Sequence, residues 1–245
     1  MRRVLFLLAG VFAGALPLQA GTLPGALVPT YQATYRIEYK GKRAGQSQVS
    51  VLYDAEKQAY RFSSSFELEG LFKLAAQSLP STWSEFKVEG DGVMPLRSWV
   101  GGVKGKPDAL VEYDWTSNIA RSDSFGTLAI EPGTLDIGTM RVALMGLLRA
   151  DEEAGKHAVI DGGEIKNFEY ATVGTEAIDS TFGELDTYVV VEQQAESSRK
   201  TLLWMAPTMC FLPVRISQEV DGKVDTSMVL ESVEGIALGS AECGA

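Results

Sequence analysis

The chain has 245 residues, 45% of them hydrophobic, which is enough to bury a sizeable core and excludes disorder as the default. Its 22 basic residues face 32 acidic ones, a formal charge of -10 that favours solubility and makes nucleic acid a poor partner. One histidine and two cysteines exclude a His-rich metal site and a dense disulfide framework.

Residues 1–20, MRRVLFLLAGVFAGALPLQA, set Arg2 and Arg3 before an apolar run from Val4 to Leu16, then Pro17 and Ala20. This is the pattern of a secretory signal peptide cleaved after Ala20, although Leu18 stands where a small residue is usual. The run is shorter than the ~20 apolar residues of a membrane-crossing helix, and no second run follows it. The expectation is a periplasmic or secreted protein with no integral membrane segment after signal cleavage. Removing Arg2 and Arg3 leaves 20 basic against 32 acidic residues, or -12. Residues 21–29 read as a flexible lead-in, 30–233 as a single antiparallel β domain, and 234–245 as a C-terminal tail.

Alternation dominates the domain. YQATYRIEY puts Tyr31, Ala33, Tyr35, Ile37 and Tyr39 on one face and polar residues on the other, the period of a half-buried strand. YKGKRAG then reads as a solvated hairpin tip turned by Gly41 and Gly45. Val49, Val51 and Tyr53 line the next segment; Tyr60, Phe62, Phe66 and Leu68 line the one after. LEGLFKLAAQSL suggests a short helical turn around Leu71, Leu74 and Ala75. WSEFKVEGDGVMPLRSWV forms two runs about Gly90 to Gly92, and the following segment alternates Ala109, Val111, Tyr113 and Trp115. In TLDIGTMRVALMGLLRADEEAG the period changes: Ile137, Met140, Leu144, Leu147 and Leu148 recur at helical spacing, with Asp136 as N-cap and Gly155 as stop. Gly138 and Gly146 weaken this helix by ~1 kcal/mol each, so it needs tertiary packing. After it come a strand opened by His157 and five more alternating runs, KNFEYATVG, GELDTYVVVEQQ, RKTLLWMA, PVRISQEV and KVDTSMVLESV. The fold class implied is mainly β: a large curved antiparallel sheet or open barrel of about a dozen strands with one main helix packed on its concave face.

The order of a Tyr-rich first strand, GLFKL, DGVMPL, YDW, the LD helix, STFGELDTYVVV and LLWMAPTMCFLPVRISQEVDGK resembles a family of exported bacterial proteins catalogued only as a domain of unknown function. The resemblance runs from about Tyr31 to about Val233. It implies an exported, mainly antiparallel β protein of the cell envelope and carries over no catalytic residue. Cys210 is not part of the pattern.

The search for catalytic chemistry finds little material. A Ser-His-Asp arrangement would have to use His157, and no serine sits in G-x-S-x-G. Ser84 with Lys87 and Ser197 with Lys200 fail as S-x-x-K pairs, because positions i and i+3 of a strand face opposite ways. The glycines of GGVKGK lack the strand-to-helix context of a phosphate loop. Carboxylates near element ends, Glu112, Asp114, Glu131, Asp136, Glu184 and Asp186, leave paired-acid hydrolysis open. No catalytic, cofactor or metal-binding residue is assigned, and no cofactor is implied.

Trp83, Trp99, Trp115 and Trp204, with eight tyrosines and ten phenylalanines, point instead to an interior that is either filled by rings or holds an apolar ligand. The first functional reading is a noncatalytic envelope protein that binds an apolar or lipid-like ligand, with Tyr35, Trp115, Leu144, Leu147 and Trp204 as candidate lining residues and the helix as a cover. The second is a scaffold that meets an envelope protein partner through a sheet edge. The third is a hydrolase using paired carboxylates. Cys210 and Cys243 are the only cysteines, and in an exported chain they are expected to be joined; the alternative is a reactive thiol at Cys210.

Overall fold

The computed structural model describes residues 28–75, 79–90, 92–102, 105, 107–195, 197–236, 238–239 and 243. The signal-peptide reading of residues 1–20 lies outside them. In chain order the elements are β1 (Tyr31–Tyr39), β2 (Lys42–Asp54), β3 (Ala59–Leu68), the short helix α1 (Gly70–Ala75), β4 (Ser81–Glu89), β5 (Gly92–Gly101), β6 (Ala109–Asp114), β7 (Ile119–Ser122), β8 (Gly126–Ala129) and β9 (Leu135–Asp136). Then follow the main helix α2 (Ile137–Arg149), β10 (Ala154–Asp161), β11 (Glu164–Ser180), β12 (Gly183–Gln194), β13 (Arg199–Ala206), β14 (Leu212–Val220) and β15 (Lys223–Glu234).

All fifteen strands belong to one sheet, ordered β8-β7-β6-β5-β4-β3-β2-β1-β15-β14-β13-β12-β11-β10-β9. Every pairing is antiparallel except β9 with β10, which is parallel through Leu135 and Asp136. β1 and β15 pair in the middle of the order, and the two edges, β8 and β9, are consecutive in sequence. Laid flat, fifteen strands at ~4.8 Å per neighbour would hold those edges roughly 65 Å apart. The residues 130–134 between them reach only about 20 Å. The sheet therefore curls on itself, but it remains open, with no ladder joining β8 to β9 among the described residues. Side chains close the seam instead. Ile160 of β10 packs with Val111, Tyr113, Ala120 and Ile130, and Phe125 lies so near Gly163 that a Cβ there would come within 2.9 Å of it.

The helix fills part of the space this curl encloses. Asp136 caps it: Oδ1 accepts from the Gly138 and Thr139 amides at 2.8 and 2.9 Å, while the Asp136 amide donates to Thr139 Oγ1 at 2.9 Å. Ser84 of β4 donates to the same Oδ1 at 2.6 Å, which ties the helix start to the sheet. Val142, Leu144, Met145 and Leu148 enter the main core with Tyr35, Phe62, Phe86, Val190, Leu203 and Met205. The helix stops at Arg149 with Asp151 in the left-handed region at φ 59°, so the expected stop at Gly155 is not used. Gly155 lies in β10, where the Tyr170 ring occupies the place of its missing side chain.

Two ends of the curled sheet differ. Alternating strand directions bring the ends of β1, β3, β10 and β14 and the starts of β2, β4, β13 and β15 to one end, here called the mouth. The opposite end is sealed by the turn from β13 to β14, where Met209 is fully buried and Cys210 is bonded to Cys243. Cys210 and Phe211 both adopt left-handed backbone, at φ 56° and 57°, a conformation that costs a non-glycine residue about 1–2 kcal/mol. Val28, at the end of the segment read as a flexible lead-in, is buried against the main core.

Two substitution experiments follow from this packing. A Cβ on Gly138 would meet Phe62 Cδ1 and Ser84 Oγ at 2.6 Å, whereas one on Gly146 would meet nothing within 4 Å. Gly138→Ala is expected to lower stability by about 1–3 kcal/mol through overpacking, and Gly146→Ala to raise it by up to about 1 kcal/mol, as read from urea midpoints. Replacing Cys210 and Cys243 together by serine opens a loop of 33 residues. Equilibrium unfolding should then show a loss of about 3–4 kcal/mol without loss of the β signature in circular dichroism.

Candidate functional site

Two cavities open at the mouth, one on each side of the first turn of α2. The larger, of about 480 Å³, is walled by β1 to β4, by β13 to β15 and by Ile137 and Arg141 of the helix. Its apolar surface comes from Tyr31, Ile37, Val49, Phe62, Phe66 and Met228. The second, of about 410 Å³, lies between β4 to β6 and the C-terminal end of β10, with Ser84, Ser98 and Asp136 on its wall. Pro80, Thr82 and Ile137 line both, so the two spaces adjoin.

Charge inside the sheet is mostly compensated. Arg141 makes a bidentate pair with Glu192 of β12, at 2.9 and 3.2 Å, with both side chains largely buried. Tyr35 donates to the Pro213 carbonyl at 2.8 Å. Burial pushes the phenols of Tyr31 and Tyr35 well above their ordinary range, and the Arg141 charge only partly offsets this. His157 stacks on Tyr170 with ring centroids 5.1 Å apart. Burial, and then the nearby Arg141 guanidinium, lower its pKa from 6.5 to about 4. Its buried Nε2 has no hydrogen-bond partner. At neutral pH His157 is an uncharged part of the interior packing.

The expected lining residues divide. Tyr35 lines the larger cavity. Leu144 is fully buried in the main core and Leu147 packs against its edge, so the helix enters the cavities through Ile137, Gly138 and Arg141 instead. Trp115 belongs to the seam cluster, where it stacks on Tyr113 and donates from Nε1 to the Pro95 carbonyl at 2.6 Å. Trp204 is buried on the face of β13 opposite Arg199, Thr201 and Leu203. Its Nε1 donates to Glu176 at 2.7 Å, and the Arg215 guanidinium lies 5.3 Å from the ring centroid. The rings on the wall of the larger cavity are tyrosines of β1 and phenylalanines of β3, while Trp83 and Trp99 line the second cavity. Arg141 was legible in principle, because an arginine at i+4 from Ile137 puts a charge on the helix face that also carries Leu144 and Leu148.

The six carboxylates that left hydrolysis open are scattered. Glu112 pairs with Arg97 at 3.4 Å, and Asp114 accepts from the Thr116 and Ser117 amides in its own turn. Glu131, Glu184 and Asp186 are exposed. Only Asp136 reaches a cavity wall, and there it serves as the helix cap. Among the described residues no group of three or more His, Cys, Asp or Glu could hold a metal ion.

A family model described as "Protein of unknown function (DUF3108)" matches residues 30–227. No curated protein matches the chain. The matched span covers the cavity walls from β1 into β15 and includes Cys210 but not Cys243.

The buried His157 fixes a pH dependence. Its folded-state value of about 4 lies below 6.5, so between those limits the unfolded chain binds a proton that the folded chain refuses. The stability tied to neutral His157 is complete above pH 6.5, declines as pH falls, and is gone below about 4, a difference of roughly 3 kcal/mol. Asp136, whose carboxyl is raised chiefly by burial, acts in the opposite sense. Comparison of wild type with His157→Gln isolates the histidine: urea unfolding across this window should show a shallower fall of stability on acidification in the variant.

Proposed function

The chain belongs to the family described as Protein of unknown function (DUF3108), and within it we propose that this protein binds an apolar or lipid-like ligand in its larger cavity without transforming it. The observation that carries the reading is the cavity itself: about 480 Å³ within a curled sheet, walled mainly by apolar side chains. That volume falls within the range of small-molecule sites, and the few polar groups on its wall suit orientation of a ligand. Arg141 is held by Glu192 and Asp136 Oδ1 by the helix start and Ser84, while among the described residues Asp136 Oδ2 and His157 Nε2 have no hydrogen-bond partner. Residues 1–20 and the Cys210–Cys243 bond support action outside the cytoplasm, in the periplasm or as a secreted protein.

The test is a thermal-shift and native mass-spectrometry panel of fatty acids, phospholipids and quinone-like molecules. A ligand held only by the folded state raises the melting temperature by mass action, with about 2.7 kcal/mol of stabilisation at one hundred times Kd. Ser64 lies on the cavity wall between Phe62 and Phe66, so Ser64→Trp should fill the space, leave the fold intact and abolish the shift. A panel that leaves both melting temperature and mass unchanged would overturn the reading.

A further inference from the structure

We propose that the occupant of the larger cavity is an amphiphile with an anionic head, a carboxylate or a phosphate, seated at Arg199. The inference rests on the cavity reading above and adds the charge of its ligand.

Three observations converge. The first is the polarity of the wall. Although the chain carries 32 acidic residues, none of those among the described residues lines this cavity, while two arginines do. Arg141 is neutralised by Glu192 behind it. Arg199 makes no side-chain hydrogen bond or ion pair among the described residues; its backbone amide donates to Ser197 Oγ, and it pairs with Val220 in the ladder.

The second is where Arg199 stands. It is the first residue of β13, exposed at the mouth, and shares a face with Thr201 and the fully buried Leu203. A head group bound there keeps part of its hydration, so the charge is recognised without the penalty of full burial.

The third is that register sorts the wall into layers. Cross-strand partners Thr201, Gln218 and Thr226 form a polar row across β13, β14 and β15, next to Arg199 at the mouth. One step deeper, Leu203, Ile216, Met228 and Ile37 form an apolar row across β13, β14, β15 and β1. A guanidinium and a row of hydroxyl and amide groups above an apolar row match a molecule with an anionic head and a hydrocarbon tail. A purely apolar ligand would leave the guanidinium and the polar row without a role.

The experiment compares laurate, dodecyl phosphate and lauryl alcohol, which share a tail and differ in head, by calorimetric titration of the full chain. Laurate or dodecyl phosphate should bind about tenfold more tightly than the alcohol, and Arg199→Gln should remove that advantage while leaving alcohol binding unchanged. Arg199→Lys should retain most of it. The stronger of the two acids identifies a carboxylate or a phosphate head. Equal binding of acid and alcohol, with no effect of Arg199→Gln, would overturn the anionic head and leave the apolar cavity standing. Failure of all three to bind, in wild type as in Ser64→Trp, would overturn both.

Discussion

The short link between β8 and β9 is the constraint on which the rest depends. Because residues 130–134 must join the two edges of a fifteen-stranded sheet, the sheet has to curl, and curling creates an enclosed inner face. An enclosed face must be filled, and a single helix of 13 residues, about 20 Å long, fills only part of it. The remainder is divided between the core at the sealed end and the two cavities at the mouth. The seam needs no hydrogen-bonded ladder because Ile160, Phe125 and their neighbours bury apolar surface across it.

Interior charge is arranged with the same economy. Arg141 and Glu192 lose most of their hydration, and a bidentate geometry is what makes such a pair tolerable. Removal of either partner would strand the other in a low-dielectric interior, so the pair is better understood as fixing the helix against β12 than as a source of net stability. Asp136 performs the corresponding task at the helix start, where one carboxylate oxygen gathers two amides and the Ser84 hydroxyl. Gly138 lets the first turn approach β3 and β4 without a Cβ between them. The first turn of α2 is thereby held to both walls and divides one cavity from the other.

Much of this was legible in the alternation. Twelve strands long enough to show a period of two were read from the sequence, together with α2, its cap at Asp136 and the joining of Cys210 to Cys243. The three strands that escaped, β7, β8 and β9, have four, four and two residues, too few for periodicity to register. They are also the strands that form the seam, so whether the sheet closes was not readable. Gly138 looked like a weakness because propensity describes an isolated helix, whereas its value lies in a contact with residues more than fifty positions away. Trp204 and Trp115 were misplaced for a related reason: a large ring signals burial but not the face on which it is buried. Both rings found hydrogen-bond partners outside the cavity, as their indole N–H groups require.

The contrast between the two ends carries the last step. Met205, Met209, Leu212 and Phe211 are buried at the sealed end, and the bond to Cys243 holds a turn whose backbone is locally unfavourable. Stability invested there allows the mouth to remain underfilled, since local stability need not be uniform across a fold. Apolar wall residues at the mouth lose contacts that a fully packed core would provide, and a bound tail would restore them. The same arrangement joins binding to the frame: Ile137 and Arg141 touch the larger cavity, while the turn that carries them is fixed to β3, β4 and β12. A ligand that fills the cavity therefore buttresses the point at which the helix grips both walls of the curled sheet.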